Sequence, residues 1–477
     1  MNINNYNRTK IIATIGPASI SEEILEKMIL AGMDVCRINS SHGDHAMMEE
    51  IIQTIRRLNI KLNTHIAILF DLQGPKIRIG DLKEKDIILH EGDELLLNHH
   101  EVPGTKAEVY IKYPHFHKDV RINDHVLVDD GKIELEVIEI MADERVKTKV
   151  IHGGPLSSRK GVNLPNTIIS LPSLTEKDRK DLLFALKHEV EWIGLSFVRK
   201  AEDVIELKQI IKDADSKSRV IAKIEKPEAV VNIDSIIAAS DAIMVARGDL
   251  GVEMAMEKVP VIQKSIVKKC NQAAKPVIIA TQMMESMILN YRPTRAEAND
   301  VGNAVFDGAD ALMLSAETSV GIFPVGTVQA MRKIISEIEE QDTVYYRDHA
   351  PRKDSPNFIP ENICFIAAVM ARQTHAAGIV AMTHSGMTAF KIAGQRPKAS
   401  IYIFTDNKPL LNTLSLVWGI RGFYYDKYES TDETIADIKM YLVNNNLVSS
   451  GNYIIHIAST PLHERATANT IKLTKIE

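Results

Sequence analysis

Eight short runs of apolar, often β-branched residues alternate with amphipathic stretches along this chain. They are T-K-I-I-A-T-I-G (9–16), M-D-V-C-R-I-N (33–39), T-H-I-A-I-L-F-D (64–71), E-W-I-G-L-S-F-V (191–198), R-V-I-A-K-I-E (219–225), A-I-M-V-A-R-G-D (242–249), P-V-I-I-A-T-Q (276–282) and A-D-A-L-M-L-S-A (309–316). Most are apolar at consecutive positions, which suits strands buried on both faces of a parallel sheet. The stretches between them have helical period: in H-A-M-M-E-E-I-I-Q-T-I-R-R-L, Met48, Ile51, Ile52, Ile55 and Leu58 form one stripe. Thr294-Arg-Ala-Glu297, just after Pro293, reads as a capping box. Eight such units at regular spacing predict an α/β fold of the (β/α)8 TIM barrel type, in preference to an open doubly wound sheet.

Residues 80 to about 160 break the rhythm. D-I-I-L-H-E-G-D-E-L-L-L, A-E-V-Y-I-K-Y, H-V-L-V-D-D-G-K-I-E-L-E-V and R-V-K-T-K-V-I read as short strands, with Asp130-Gly131 as a hairpin signal. They predict a small all-β barrel inserted after the third strand, placed to act as a lid. Beyond the polar linker R-D-H-A-P-R-K-D-S-P-N, helix and strand patterns alternate again. The expected organisation is a catalytic barrel (1–79 and 162–345), a β lid (80–161) and a C-terminal α/β regulatory domain (346–477).

Composition narrows the function. A net charge of −6 argues against nucleic-acid binding, so an anionic substrate must meet a local basic pocket. Cys36, Cys270 and Cys364 are odd in number and unpaired in spacing, which excludes a disulfide scaffold or a cysteine-rich zinc site. The N-terminal residues lack a signal-like apolar core, and no uncharged apolar run reaches membrane-spanning length. A cytoplasmic protein without membrane contact is expected.

A barrel enzyme works at the carboxyl ends of its strands, and charges concentrate there: Arg37-Ile-Asn39, Lys223-Ile-Glu225 and Arg247-Gly248-Asp249. Residues two apart on a strand share a face, so Lys223 and Glu225 point the same way. A structural salt-bridge layer would account for one such pair; three strand ends together point to function. Glu225 and Asp249 are hard oxygen ligands suited to Mg²⁺ or Mn²⁺, Lys223 and Arg37 would flank an anion held there, and Gly248 allows close backbone approach. Thr281 ends the seventh strand, and Ser315 with Glu317 ends the eighth. The chain has no P-loop, no H-E-x-x-H and no G-x-S-x-G. Cations and a metal around a phosphate, without a covalent nucleophile, point to phosphoryl transfer.

T-K-I-I-A-T-I-G-P-A-S, C-R-I-N-S-S-H-G, K-I-E, M-V-A-R-G-D-L-G-V-E, A-T-Q-M-M-E-S-M, R-P-T-R-A-E and D-G-A-D-A-L-M-L-S-A-E-T occur in that order. Through them the chain resembles the pyruvate kinase family over essentially its whole length. The resemblance implies phosphoryl transfer from phosphoenolpyruvate to ADP, giving ATP and, after enolate protonation, pyruvate. It implies Glu225 and Asp249 as ligands of a divalent metal, with a second Mg²⁺ arriving on the nucleotide. Lys223 and Arg37 would hold the moving phosphoryl group, while Gly248, Asp249 and Thr281 would receive the substrate carboxylate. Thr281 and Ser315 would order the water that delivers the proton. Asn39, His42, Arg78 and Lys160 resemble the nucleotide contacts. A homotetramer is expected. Another metal-dependent barrel acting on phosphoenolpyruvate or an oxo-acid, an aldolase or mutase, is the alternative, and a Lys223→Met variant is expected to fold normally yet lose most transfer.

Two regions separate subtypes. T-H-S-G-M-T-A places Thr383, His384, Ser385, Gly386 and Thr388 at a helix start, resembling an effector-phosphate loop; an ordinary capped helix is the other reading. P-L-H-E-R-A-T-A-N (461–469) stands where the family often has a Gly-rich loop, leaving sugar monophosphates, a nucleotide or no effector open. Many family members have Gly-Pro-Glu where this chain has Gly74-Pro75-Lys76, and use K⁺ held by residues matching Asn39, Ser41, Asp71 and the Leu72 carbonyl. Lys76 is expected to supply that positive charge, so K⁺ would not be required.

Overall fold

In the computed structural model, which describes residues 6–41, 43–165, 167, 169–427, 430–460 and 467–477, each of the eight runs contains one strand of a closed parallel barrel. The strands are Lys10–Thr14, Val35–Asn39, Ala67–Asp71, Trp192–Leu195, Arg219–Ile224, Ala242–Ala246, Val277–Ala280 and Ala311–Leu314, and the first pairs with the eighth to close the ring. Nearly all their residues are buried, because side chains pack both inside the ring and beneath the outer helices. Helix His45–Leu62 buries the predicted stripe, and the capping box at Thr294 opens helix Arg295–Asp307 with both reciprocal bonds formed.

The structure corrects the strand ends. Arg247, Gly248 and Asp249 do not finish the sixth strand, which stops at Ala246; they form the first turn of helix Arg247–Glu253. Glu225, Thr281 and Ser315 each lie one residue beyond their strands. In each case the apolar run ends with the strand, and the first polar residue already belongs to the turn or helix that follows.

The inserted module builds a six-stranded sheet and a two-stranded ribbon around its own apolar core, which includes Ile87, Leu97, Val126 and Leu135. Among the described residues, hydrogen bonding does not join the two into one continuous ring. The hairpin at Asp130-Gly131 is present with a four-residue connection, since Val128 pairs with Ile133. Its backbone turns through φ values of 54, 56 and 85° at Asp129, Asp130 and Gly131, a path that favours Asp and Gly.

In the C-terminal sheet, strands Ile420–Tyr424, Ser400–Thr405, Gly378–Met382 and Tyr453–Ala458 lie parallel in that order, and Thr470–Lys475 adds an antiparallel edge. The two edge strands went unpredicted because they are only partly buried and lack a continuous apolar run. Arg396 ties this domain to the amino-terminal end of the barrel: fully buried, it pairs with Asp310 at 2.8 Å and lies over the Trp418 ring. Removing one partner of such a pair typically costs about 3–5 kcal/mol.

His456, in strand Tyr453–Ala458, contributes a pH dependence. Burial, with Lys439 and Lys472 nearby, lowers its pKa from 6.5 to about 4. The folded imidazole stays neutral where the unfolded one binds a proton. Stability from this group is therefore complete above about pH 6.5 and lost as pH falls towards 4, by about 3 kcal/mol in total. Urea unfolding between pH 7 and 4.5 should show a steeper loss in the wild type than in His456→Gln. Parallel pH profiles would contradict the assignment.

Candidate active site

Charged residues from three strands, and from the segments that follow the fifth and sixth, meet at the carboxyl end of the barrel. Asp71, fully buried at the end of the third strand, accepts at Oδ2 from Arg37 Nε at 2.9 Å. Arg37 Nη1 donates to Thr14 Oγ1 at 2.9 Å. Lys223 Nζ donates to Ser196 Oγ at 2.7 Å and lies 3.0 Å from Glu225 Oε1 and 3.3 Å from Asp71 Oδ1. The last contact lacks hydrogen-bond geometry, so Asp71 Oδ1 has an ion partner without a hydrogen bond. Ser196 Oγ in turn donates to the Leu72 carbonyl at 2.7 Å. The result is a row of alternating charges, Arg37–Asp71–Lys223–Glu225, in which the carboxylates are fully buried and the two cations keep about a tenth of their side-chain surface exposed.

Burial would make every one of these ions costly, and pairing decides which form persists. Burial raises the Asp71 pKa, but Lys223 and Arg37 outweigh it and hold the carboxyl below its usual range. Burial lowers that of Lys223, yet Asp71 and Glu225 reverse the sign, so the ammonium stays charged at neutral pH. Glu225 differs. Burial raises its pKa and the Asp249 carboxylate adds to this, against Lys223 and the Phe197 N–H bound to Oε2 at 2.7 Å. Asp249 is half exposed, facing Lys76 Nζ at 3.9 Å. The Asp249 carboxylate thus adds to the cost of ionising Glu225, a cost that a hard divalent cation held by the two would relieve. Mg²⁺, which keeps several waters, needs no more than that from the protein.

Thr281 has φ +69° and Gln282 +54°, unfavourable for a β-branched residue in particular. Contacts hold this turn. Thr281 Oγ1 accepts the Gly248 N–H at 2.7 Å, and the Arg247 guanidinium donates to the Thr281 carbonyl at 2.9 Å while pairing with Asp300. The Gly248 N–H expected to face substrate is thus engaged by Thr281. Glu317 accepts the Ser315 and Met284 N–H groups, so it braces the eighth strand's exit.

Three of the expected nucleotide residues are engaged by neighbours of their own. Asn39 Oδ1 accepts from Ser41 N at 3.1 Å, Arg78 donates to the Arg159 carbonyl at 3.0 Å, and Lys160 pairs with Asp129 at 2.8 Å. His42 lies outside the described residues. At the C-terminal loop, Thr383 Oγ1 accepts the Gly386 N–H at 3.0 Å and Ser385 Oγ the Met387 N–H at 3.4 Å, while His384 pairs with Asp406. These bonds shape the turn before helix Met387–Gly394, whose N-cap, Gly386, makes no side-chain cap bond. Residues 461–466 of the other effector region lie outside the described residues.

Ser196, Lys226 and Glu253 were missed from sequence. Lys226 pairs with Glu253 at 2.7 Å, and Asn163 Nδ2 donates to the same Glu253 oxygen at 2.8 Å, joining the inserted module to the barrel. Lys226, Glu253 and Asn163 line a cleft that Lys76 and Phe197 also border. The signal was present for two of them: Lys226 follows K-I-E, and Glu253 ends R-G-D-L-G-V-E.

Comparison with known proteins matches this architecture at both ends. The family described as pyruvate kinase, barrel domain, matches residues 6–328, and pyruvate kinase, alpha/beta domain, matches residues 361–474. The chain belongs to the pyruvate kinase family. It is 40% identical over 467 residues to the pyruvate kinase of Staphylococcus aureus strain MRSA252, covering 98% of this chain and 80% of that enzyme. The enzyme of strain USA300 is 41% identical over the same share. A solved pyruvate kinase from Cryptosporidium parvum superposes with a TM-score of 0.92 at 35% identity, covering 99% of this chain and 96% of that one. Phosphoenolpyruvate, ADP or ATP, and pyruvate are the reactants of this family, which generally uses Mg²⁺.

Proposed function

We propose that this chain transfers the phosphoryl group of phosphoenolpyruvate to ADP at the barrel mouth, with Lys223 and Arg37 as its fixed cations. The row Arg37–Asp71–Lys223–Glu225 carries the reading. Arg37 binds a phosphoryl oxygen, and Lys223 neutralises charge that spreads over the group as the bond to the enol oxygen breaks and the bond to ADP forms. Asp71 holds both cations in place before substrate arrives, so little reorganisation is needed during transfer. Glu225 and Asp249 would hold Mg²⁺, or Mn²⁺, which when bound supplies Lewis-acid charge neutralisation for the substrate oxygens. Thr281, fixed by Gly248 and Arg247, orients the carboxylate end; Thr281 and Ser315 order the water from which the enolate carbon is protonated. Asn39, His42, Arg78 and Lys160 are the proposed nucleotide contacts, and the lid carries Lys160 over ADP on closing. A homotetramer is part of this reading.

Lys76 supports K⁺ independence. Its ammonium faces Asp249, beside the divalent site, and places a covalent positive charge where the substrates' negative charges gather. ATP formation from phosphoenolpyruvate and ADP is therefore expected at full rate in tetramethylammonium buffer with Mg²⁺. A stimulation by K⁺ of ~10-fold, about 1.4 kcal/mol, would refute the Lys76 role. No ATP formation under either condition would refute the function itself.

A further inference from the structure

Three residues distant in sequence meet at one edge of the inserted module. His99 follows strand Glu94–Asn98, His117 lies on the short helix Phe116–Asp119, and Glu144 sits in the turn between strands Ile133–Ile140 and Val146–His152. One ligating atom from each lies within 4.8 Å of the other two. His99 Nε2 is 3.4 Å and His117 Nε2 is 3.6 Å from the two Glu144 oxygens. These separations exceed those of a hydrogen-bonded pair; His125 and Glu134, in the same module, stand at 2.7 Å. Each is close to the distance of about 3.3 Å between neighbouring ligands in a tetrahedral site with metal–nitrogen bonds of about 2.0–2.1 Å, with His99 facing Oε2 and His117 Oε1, so that one ion between the rings would draw on both carboxylate oxygens.

We propose that His99, His117 and Glu144 form a second metal site, for Zn²⁺ or a similar late transition ion, with the fourth position open to water. The donor set distinguishes it from the barrel site: two imidazoles and one carboxylate suit zinc, whereas Mg²⁺ favours oxygen. Both Nδ1 atoms are buried without a hydrogen-bond partner, and Nε2 is the atom of each ring that faces Glu144. Metal binding would shorten the longest of the three separations and tie two loops and a helix of the lid together, whatever the chemistry at the barrel mouth.

Co²⁺ is the probe, because its tetrahedral complexes absorb far more strongly in the visible than octahedral ones. With the full chain in saturating Mg²⁺, added Co²⁺ should give intense visible bands that one equivalent of Zn²⁺ abolishes. The bands should be absent from Glu144→Gln and from His117→Gln, while both variants transfer phosphate with Mg²⁺ at the wild-type rate. The Glu144 side chain is 54% exposed, so its amide replacement leaves packing intact. Absence of the bands from the wild type, or undiminished bands in either variant, would overturn the site.

Discussion

Lys223→Met is expected to lower kcat by about 10³-fold, or ~4 kcal/mol of transition-state stabilisation. The ammonium sits between two buried carboxylates and is itself largely buried, where a fixed charge acts with little screening. The structure also revises the expectation of normal folding. Without Lys223, Asp71 keeps Arg37, but Glu225 is left buried with only the Phe197 N–H. An uncompensated buried charge of this kind costs about 3–5 kcal/mol. The sign of its pH dependence follows from Glu225, whose folded pKa already lies above that of the free side chain. Its ionisation opposes folding, so the variant's stability deficit should narrow as pH falls through that raised pKa, and widen again above it. Single-turnover kinetics and denaturant unfolding at several pH values read the two effects separately. Near-wild-type turnover would defeat the catalytic role, and a deficit that grows on acidification would defeat the electrostatic account.

Glu225→Gln carries the second large effect. The amide keeps the size of the side chain and one oxygen but loses the charge that, with Asp249, would hold the divalent ion. Divalent-metal affinity should fall at least ~10–100-fold and turnover at subsaturating Mg²⁺ by a similar factor. Metal-free stability should move the other way, because a buried ionised carboxylate becomes neutral. Lys223, deprived of one partner, limits that gain. A titration of Mn²⁺ by its paramagnetic signal measures the affinity, and equal affinity in the variant would remove Glu225 from the ligand set.

Much of this could be read from the chain because barrel strands are buried on both faces, which writes them as unbroken apolar runs whatever the loops do. The strand ends were overrun although each apolar run stops with its strand: in A-I-M-V-A-R-G-D the strand ends at Ala246, and the polar residues after it open a helix. The strands Ile420–Tyr424 and Thr470–Lys475 were lost because edges are half solvated and carry no such run. At the site, Lys223 and Glu225 declared themselves by their two-residue spacing. Asp71 did not show as the hub of the charge row, because Arg37 and Lys223 reach it from strands that only barrel closure brings together. Ser196 was silent for a similar reason: a lone serine after a buried strand gains its role from the Lys223 ammonium it faces.

The most direct measurement is the position of Mn²⁺, by its anomalous signal, in crystals of the enzyme with an enol-phosphate analogue. The ion should lie about 2.0–2.3 Å from carboxylate oxygens of both Glu225 and Asp249, with the Lys223 ammonium and Arg37 guanidinium on the phosphoryl oxygens. An ion bound elsewhere, with those two carboxylates turned away from it, would contradict the account.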